Sequence, residues 1–400
     1  LKKSGSSDIG TEEVILEYAR KLIFMFVLTM VLIACSGPAV AEAPAAEPTD
    51  APTSEIPTDV PPTETMPAEP ITVVDALGNE ITFEKLPERI AIAGRATALI
   101  AHSMYMFPEA IDRLAAVEDR VQRDLSFYRV VDPSFDDKLL LERNAGPEQI
   151  IPSNPDVVLM KSYLAESLGE PIEQLGIPVI YLDLETPEQF ERDIAVIGKL
   201  LGNSARAEQI ISFYSDRSQQ IASVIAAIPE AEYPDVLLMQ YSDRGGEIAF
   251  NVPSGEWLQT SMIELAGGNP VWLDAAEGGG WTIVGFEQIA AWDPEVVFVI
   301  YYFSDPTPIV ESLKEDANWQ QLQATQNNEL YAFPGDFLSW DQPDPRWILG
   351  LTWLTTTLHP EESDSINFQA EIMTFYQEMY GLSTESIESE IMPRLSPWIE

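Results

Sequence analysis

Thirteen residues recur with their spacing intact. Gly146–Val158 reads GPEQIIPSNPDVV and Gly285–Val297 reads GFEQIAAWDPEVV, and seven of the thirteen positions agree without a gap. In each, an acid stands at the start of a short run, a proline closes the run, and two valines follow. That order predicts a short helix opened by the Glu, stopped at the Pro, and followed by a buried strand. One supersecondary unit written twice, 139 residues apart, predicts two similar halves. A cleft between similar halves is where small ligands bind.

The flanking patterns agree. ITVVDALGNEITF (71–83) reads as a β-hairpin with its turn at Gly78-Asn79. Short apolar runs predict strands at Arg89–Ala93, Asp156–Met160, Pro178–Leu182, Asp235–Gln240, Glu295–Tyr301 and Leu330–Phe333. Helical spacing falls at Thr97–Tyr105 (with Thr97 as N-cap), Leu168–Leu175, Gly255–Ala266 and Pro345–Leu358. Thr186–Ile228 differs: it reads as a short helix, a break at Gly202-Asn203-Ser204, and a long helix to about Ala227. The expected class is α/β, with two similar Rossmann-like lobes joined by one long α-helix and a ligand cleft between them. The expected boundaries are an N-terminal lobe 71–185, connecting helices 186–229 and a C-terminal lobe 230–400.

Residues 1–35 read as a targeting segment. Arg20-Lys21 precede a 13-residue apolar run, Leu22–Ala34, which is short for a membrane span and suited to a signal-peptide core. Leu32-Ile33-Ala34-Cys35 resembles a bacterial lipobox, which makes Cys35 the lipidated residue and anchors the protein to the outer face of a cell membrane. The bland alternative is an ordinary signal whose Cys is incidental. Residues 36–70 hold nine prolines and no aromatic, Lys or Arg. Such a segment buries too little to offset its ordering entropy and reads as a disordered tether. Cys35 is the chain's single cysteine, so no intrachain disulfide is available. The formal net charge of −43 repels nucleic acid and anionic lipid surfaces, leaving the lipid as the sole expected link to a membrane.

From Ile71 to about Pro360 the chain resembles the substrate-binding protein of an ABC importer, of the class that takes ferric siderophores, haem or vitamin B12. The residues that carry the likeness are TVVDALGNEITF with LPERI, the two EQI–P–VV phrases, LGIPVIYLD before the long helix, WLQTSMIELAGGNPVW, and FPGDFLSWDQPDPRWILGLTWL. The resemblance implies a protein without catalysis or intrinsic cofactor, a permease and its ATPase as partners, and an iron chelate as ligand. Haem and cobalamin stand as alternative cargoes. It also implies one acid per lobe for pairing with arginines of the permease, and these fall on Glu148 and Glu287. A Glu in the first turn of a helix is equally a favourable charge at the positive end of its dipole.

Ligands of open α/β sheets sit beyond the carboxyl ends of the strands. That rule, with the family likeness, selects Arg95, Thr97, Lys161 and Tyr163 in the first lobe. In the second it selects Tyr241, Arg244, Trp257, Trp281, Tyr301, Tyr302, Phe337, Trp340 and Arg346. The aromatics suit stacking on a planar ligand and the cations suit an anionic chelate; singly, each is as readily core, rim or ion-pair partner. His102 is read as a half-buried helix-face histidine beside core methionines, with haem ligation as the sharper alternative. No metal site is expected, since two histidines and one cysteine poorly supply a bare ion. Two other function classes fit less well. An enzyme would want a nucleophile motif, and no G-x-S-x-G stands out; a stalked surface receptor suits lipid and tether but does not require the duplicated lobes.

Overall fold

The structure, a computed structural model, describes residues 70–119, 126–243, 246–276 and 278–399. The targeting segment, Cys35, the tether up to Glu69, and Arg244 lie outside the described residues.

Strands β1 (Ile71–Val74) and β2 (Glu80–Phe83) pair antiparallel. The turn is built by Asp75, whose carboxylate accepts from the N–H groups of Leu77 and Asn79, both at 2.9 Å. Gly78 supplies the left-handed φ of 81° that the turn requires.

The first sheet holds β3 (Ile90–Ile92), β4 (Leu114–Glu118), β5 (Leu139–Leu141), β6 (Val157–Lys161) and β7 (Val179–Leu182), in the order β5-β4-β3-β6-β7, and all its pairs are parallel. The chain leaves β3 to one side and returns to the other, so β3 and β6 flank a topological switch point. Helices α1 (Thr97–Met104), α2 (Ser126–Val131) and α3 (Pro147–Ile150) lie in its crossovers.

The chain then runs through α4 (Pro187–Leu200) and α5 (Ser204–Ile225). The break between them is a stop signal followed by a start signal. Gly202 takes a left-handed φ of 69°, and the Asn203 side chain accepts from Arg206 N–H at 3.0 Å to cap α5.

The second sheet holds β8 (Asp235–Ser242), β9 (Ala249–Val252), β10 (Asn269–Pro270), β11 (Thr282–Val284), β12 (Val296–Ile300) and β13 (Leu330–Ala332). Its order is β11-β9-β8-β12-β13, with β10 beside the start of β8. β8, β12 and β13 are parallel, whereas β9 pairs antiparallel with both β8 and β11. The lobes therefore share the half that holds the repeated phrase and differ on the other side of the central strand. Helices α6 (Leu258–Leu265), α7 (Phe286–Trp292), α8 (Thr307–Glu315), α9 (Trp347–Leu358) and α10 (Phe368–Tyr380) belong to this body, and a last helix, Met392–Ile399, follows them. Residues 66–400 count as one compact unit.

The repeated phrases fold alike. Gly146 and Gly285, both extended (φ −83° and −82°), precede α3 and α7. Each run ends on a left-handed residue directly before the proline, Asn154 (φ 47°) and Asp293 (φ 43°). The next acid then clamps the neighbouring central strand. Asp156 accepts from Glu88 N–H at 2.8 Å and Arg89 N–H at 3.0 Å, beside β3. Glu295 accepts from Asp235 N–H at 2.9 Å, at the start of β8. One expectation is corrected: Thr97 does not cap α1. Ala96, in the left-handed region, holds that position, and the Thr97 hydroxyl donates to the Glu118 carbonyl at 2.9 Å.

Candidate functional site

The candidate loops follow the central strands of both sheets. In the first lobe, Gly94 turns the chain out of β3 with φ 93°; an added Cβ would overlap Leu164. Glu118, buried at the end of β4, braces the turn. Its Oε2 accepts from Gly94 N–H at 2.7 Å and its Oε1 from Asn144 N–H at 2.6 Å. Sequence reading passed over this acid, although a Glu closing an apolar strand was the signal. The bracing leaves Arg95 exposed. Arg95 shares a cavity of about 470 Å³ with Tyr163, which is 59% exposed, and with Gly146-Pro147 of the first phrase.

In the second lobe, rings collect around the ends of β8 and β12. Tyr241 and Tyr301 lie 6.0 Å apart between centroids, and Tyr301 and Phe303 5.8 Å. Trp257 and Trp281 lie 5.5 Å apart, and Trp281 lies 6.2 Å from Tyr302. Tyr302 points inward and donates to Asp341 Oδ2 at 2.8 Å, which also accepts from Gln259 at 3.2 Å. Burial raises the pKa of Tyr302, and Asp341's charge adds to it; Glu185 of the first lobe is among the further charges acting on this hydroxyl. Burial likewise raises the Asp341 carboxyl. Gln259, Asp341 and Glu185 were not among the sequence candidates.

Other candidates are interior and already committed. Lys161, 1% exposed, pairs with Glu185 at 2.5 Å and donates to the Asp183 carbonyl. Arg346, fully buried, pairs with Asp336 at 3.1 Å and Asp344 at 2.7 Å and lies 3.9 Å over the Phe127 ring. Trp340 is fully buried and Phe337 nearly so, the latter beneath the Arg394 guanidinium at 4.1 Å. The whole segment 333–346 is buried.

His102 is neither half-buried nor open. Its Nδ1 lies 2.5 Å from Asp344 Oδ2, and Phe127 and Tyr128 pack on the ring. The close carboxylate favours an imidazolium, but burial lowers the His102 pKa and Arg346 works in the same direction. His102 is 3% exposed, and burial outweighs the carboxylate, so its pKa lies below the ordinary value. Burial would raise Asp344, yet Arg346 and His102 beside it draw it down to about 2.

Glu148 and Glu287 are both exposed, one per lobe, at the same position of the same unit. A family model described as "Periplasmic binding protein" matches residues 128–337, which contain both phrases and more than half of the chain.

The chain belongs to the periplasmic binding protein family.

Among curated relatives, this binding protein is 24% identical over 258 residues to the molybdate-binding protein MolA of Haemophilus influenzae, covering 59% of this chain and 70% of that one. It is 19% identical to the uncharacterized ABC transporter substrate-binding lipoprotein YvrC of Bacillus subtilis, covering 73% and 86%. Among solved structures, a periplasmic solute-binding protein of Veillonella parvula superposes with a TM-score of 0.65 at 22% identity, covering 82% of this chain and 98% of that one. Helicobacter pylori CeuE, solved as a nickel–histidine complex, superposes with 0.63 at 16%, covering 80% and 99%. The two-lobed α/β fold expected from sequence is the fold of these proteins. They are solute-binding proteins, which places this chain with the substrate-binding proteins of ABC importers and not with enzymes.

Proposed function

We propose that this periplasmic binding protein captures a bulky iron chelate of the ferric-siderophore kind at the loops beyond its two sheets and delivers it to a membrane permease with its ATPase. The observation that carries the reading is the contrast between the two sets of candidates. The accessible side chains are mainly rings (Tyr163, Tyr241, Trp257, Trp281 and Tyr301) together with Arg95, while Lys161 and Arg346 are neutralised inside the protein. Rings suit a large, partly apolar ligand; a bare oxyanion would call on cations that are already paired. Among the described residues, no cluster of three or more His, Cys, Asp or Glu is arranged to hold a bare metal ion, which also favours a chelate.

In this reading, Glu148 and Glu287 dock to arginines of the permease, and lipid on Cys35 with the 36–70 tether keeps the body near the membrane's outer face. The lobes run 71–185 and 230–400, with the connecting helices between them. Tryptophan fluorescence of the protein, titrated with ferric siderophores, haem, cobalamin and molybdate, tests the cargo. Saturable quenching by a ferric siderophore at submicromolar concentration is expected, through Trp257 and Trp281. Saturation by molybdate alone would overturn the iron-chelate reading, and saturation by haem or cobalamin alone would reassign the cargo.

A further inference from the structure

The duplication extends to cavities. The first-lobe cavity, about 470 Å³, is bounded by the loop after β3, the start of the first phrase at Gly146-Pro147, and the helical turns after β6. A second-lobe cavity, about 460 Å³, is bounded by the corresponding parts: Tyr241 at the end of β8, Phe286 of the second phrase, and α8 after β12. Pro147 and Phe286 hold the same position of the phrase, directly before Glu148 and Glu287.

The chemistry of the two cavities is opposite. The first contains Arg95. The second is walled by four rings in a chain: Tyr241 and Phe250 at 6.2 Å, Phe250 and Trp319 at 5.4 Å, and Trp319 and Phe286 at 5.7 Å. Asp316 is the charged residue lining it. Asp316 is held in place because its Oδ1 accepts from Asn318 N–H at 2.8 Å and Trp319 N–H at 3.2 Å. The nearby cation of α8, Lys314, is paired with Glu311 at 3.7 Å. Ring faces with a fixed carboxylate at the rim attract a cation and accept its apolar stem.

We infer that the second-lobe cavity is a socket for a cationic side chain, arginine or lysine, presented by the permease next to the group that pairs with Glu287. This rests on the docking reading and deepens it: the two lobes offer equal acids but unlike sockets, so only one of the two docking orientations places a cation in the ring-lined cavity. Continuity carries the assignment to this partner, since Phe286 belongs to the socket and Glu287, its chain neighbour, to the docking surface.

Two measurements test it. The first uses the full chain labelled with 5-fluorotryptophan, the Trp319 signal assigned through Trp319→Phe, and N-acetyl-arginine amide as probe. A saturable shift of the Trp319 signal is expected in the millimolar range, at least about tenfold weaker with the isosteric citrulline amide. Phe286→Leu, which removes the ring but keeps an apolar side chain, and Asp316→Asn, which keeps an acceptor for the two backbone bonds, should each weaken it several-fold. No saturable shift, or equal response to citrulline, overturns the socket. The second measures binding of the same variants to the permease–ATPase complex in nanodiscs. If Glu148→Gln and Glu287→Gln weaken binding and Phe286→Leu does not, the socket fails and docking stands. If all three weaken it, both hold. If neither Glu variant has an effect, docking fails, and with it the assignment of the socket to the permease.

Discussion

Arg346 and Lys161 show what one residue type conceals. Both stand where a ligand-binding cation was expected, and both are sealed against carboxylates supplied from elsewhere in the chain, Asp336 and Glu185. A sequence displays the cation but not the partner that folding brings to it. Arg95 was legible as exposed for a local reason, the strand-ending Gly94 before it. For Asp344→Ala we expect a loss of about 3–5 kcal/mol in denaturant unfolding, since Arg346 would be left with Asp336 as its one carboxylate partner inside the protein. The pH dependence has a definite sign. Asp344 is depressed to about 2 when folded, below the ordinary value of about 3.9. Its contribution is therefore complete above about pH 4 and lost as pH falls toward 2. The stability gap between the parent and Asp344→Ala should be flat above pH 5 and close in acid; a gap that widens on acidification would refute the pairing.

At the scale of elements, the repeated phrase was the most readable feature, because helix, stop and strand all lie within thirteen residues. The acid after each proline was not recognised as a clamp, although Asp156 and Glu295 stand in register. Asp156→Ala and Glu295→Ala should each cost about 1 kcal/mol and speed amide exchange at the start of β3 and β8 respectively, without crossing to the other lobe. Strands β4, β5, β9 and β11 escaped reading, and two of them, β9 and β11, are antiparallel additions whose pairing depends on partners elsewhere in the chain. The α4–α5 break was legible because glycine and asparagine signal it locally. Asn203→Ala should lower stability by about 1 kcal/mol through loss of the α5 cap, measurable by thermal unfolding.

At the scale of the whole molecule, the least readable feature is how α10 returns. α10 is tied to α5 by Arg217–Glu371 at 2.8 Å and by Arg206 to the carbonyls of Glu378 and Met379 at 2.6 and 3.0 Å. Tyr380 also donates to the His102 carbonyl in the first lobe at 3.3 Å. With His102–Asp344 as a further strut, we expect one cooperative calorimetric transition for the body; two resolved transitions would mean lobes that unfold separately. The doubled clamp has a geometric consequence. Each exposed Glu stands a few residues before a carboxylate that bolts its phrase to the central strand of its own sheet. Under the proposed docking, Glu148 and Glu287 are the two jaws of a caliper, each tied through its phrase to the sheet of its own lobe. Whatever turns one sheet against the other is written as a change in the span between two points on the surface, which a partner can gauge without touching the cargo.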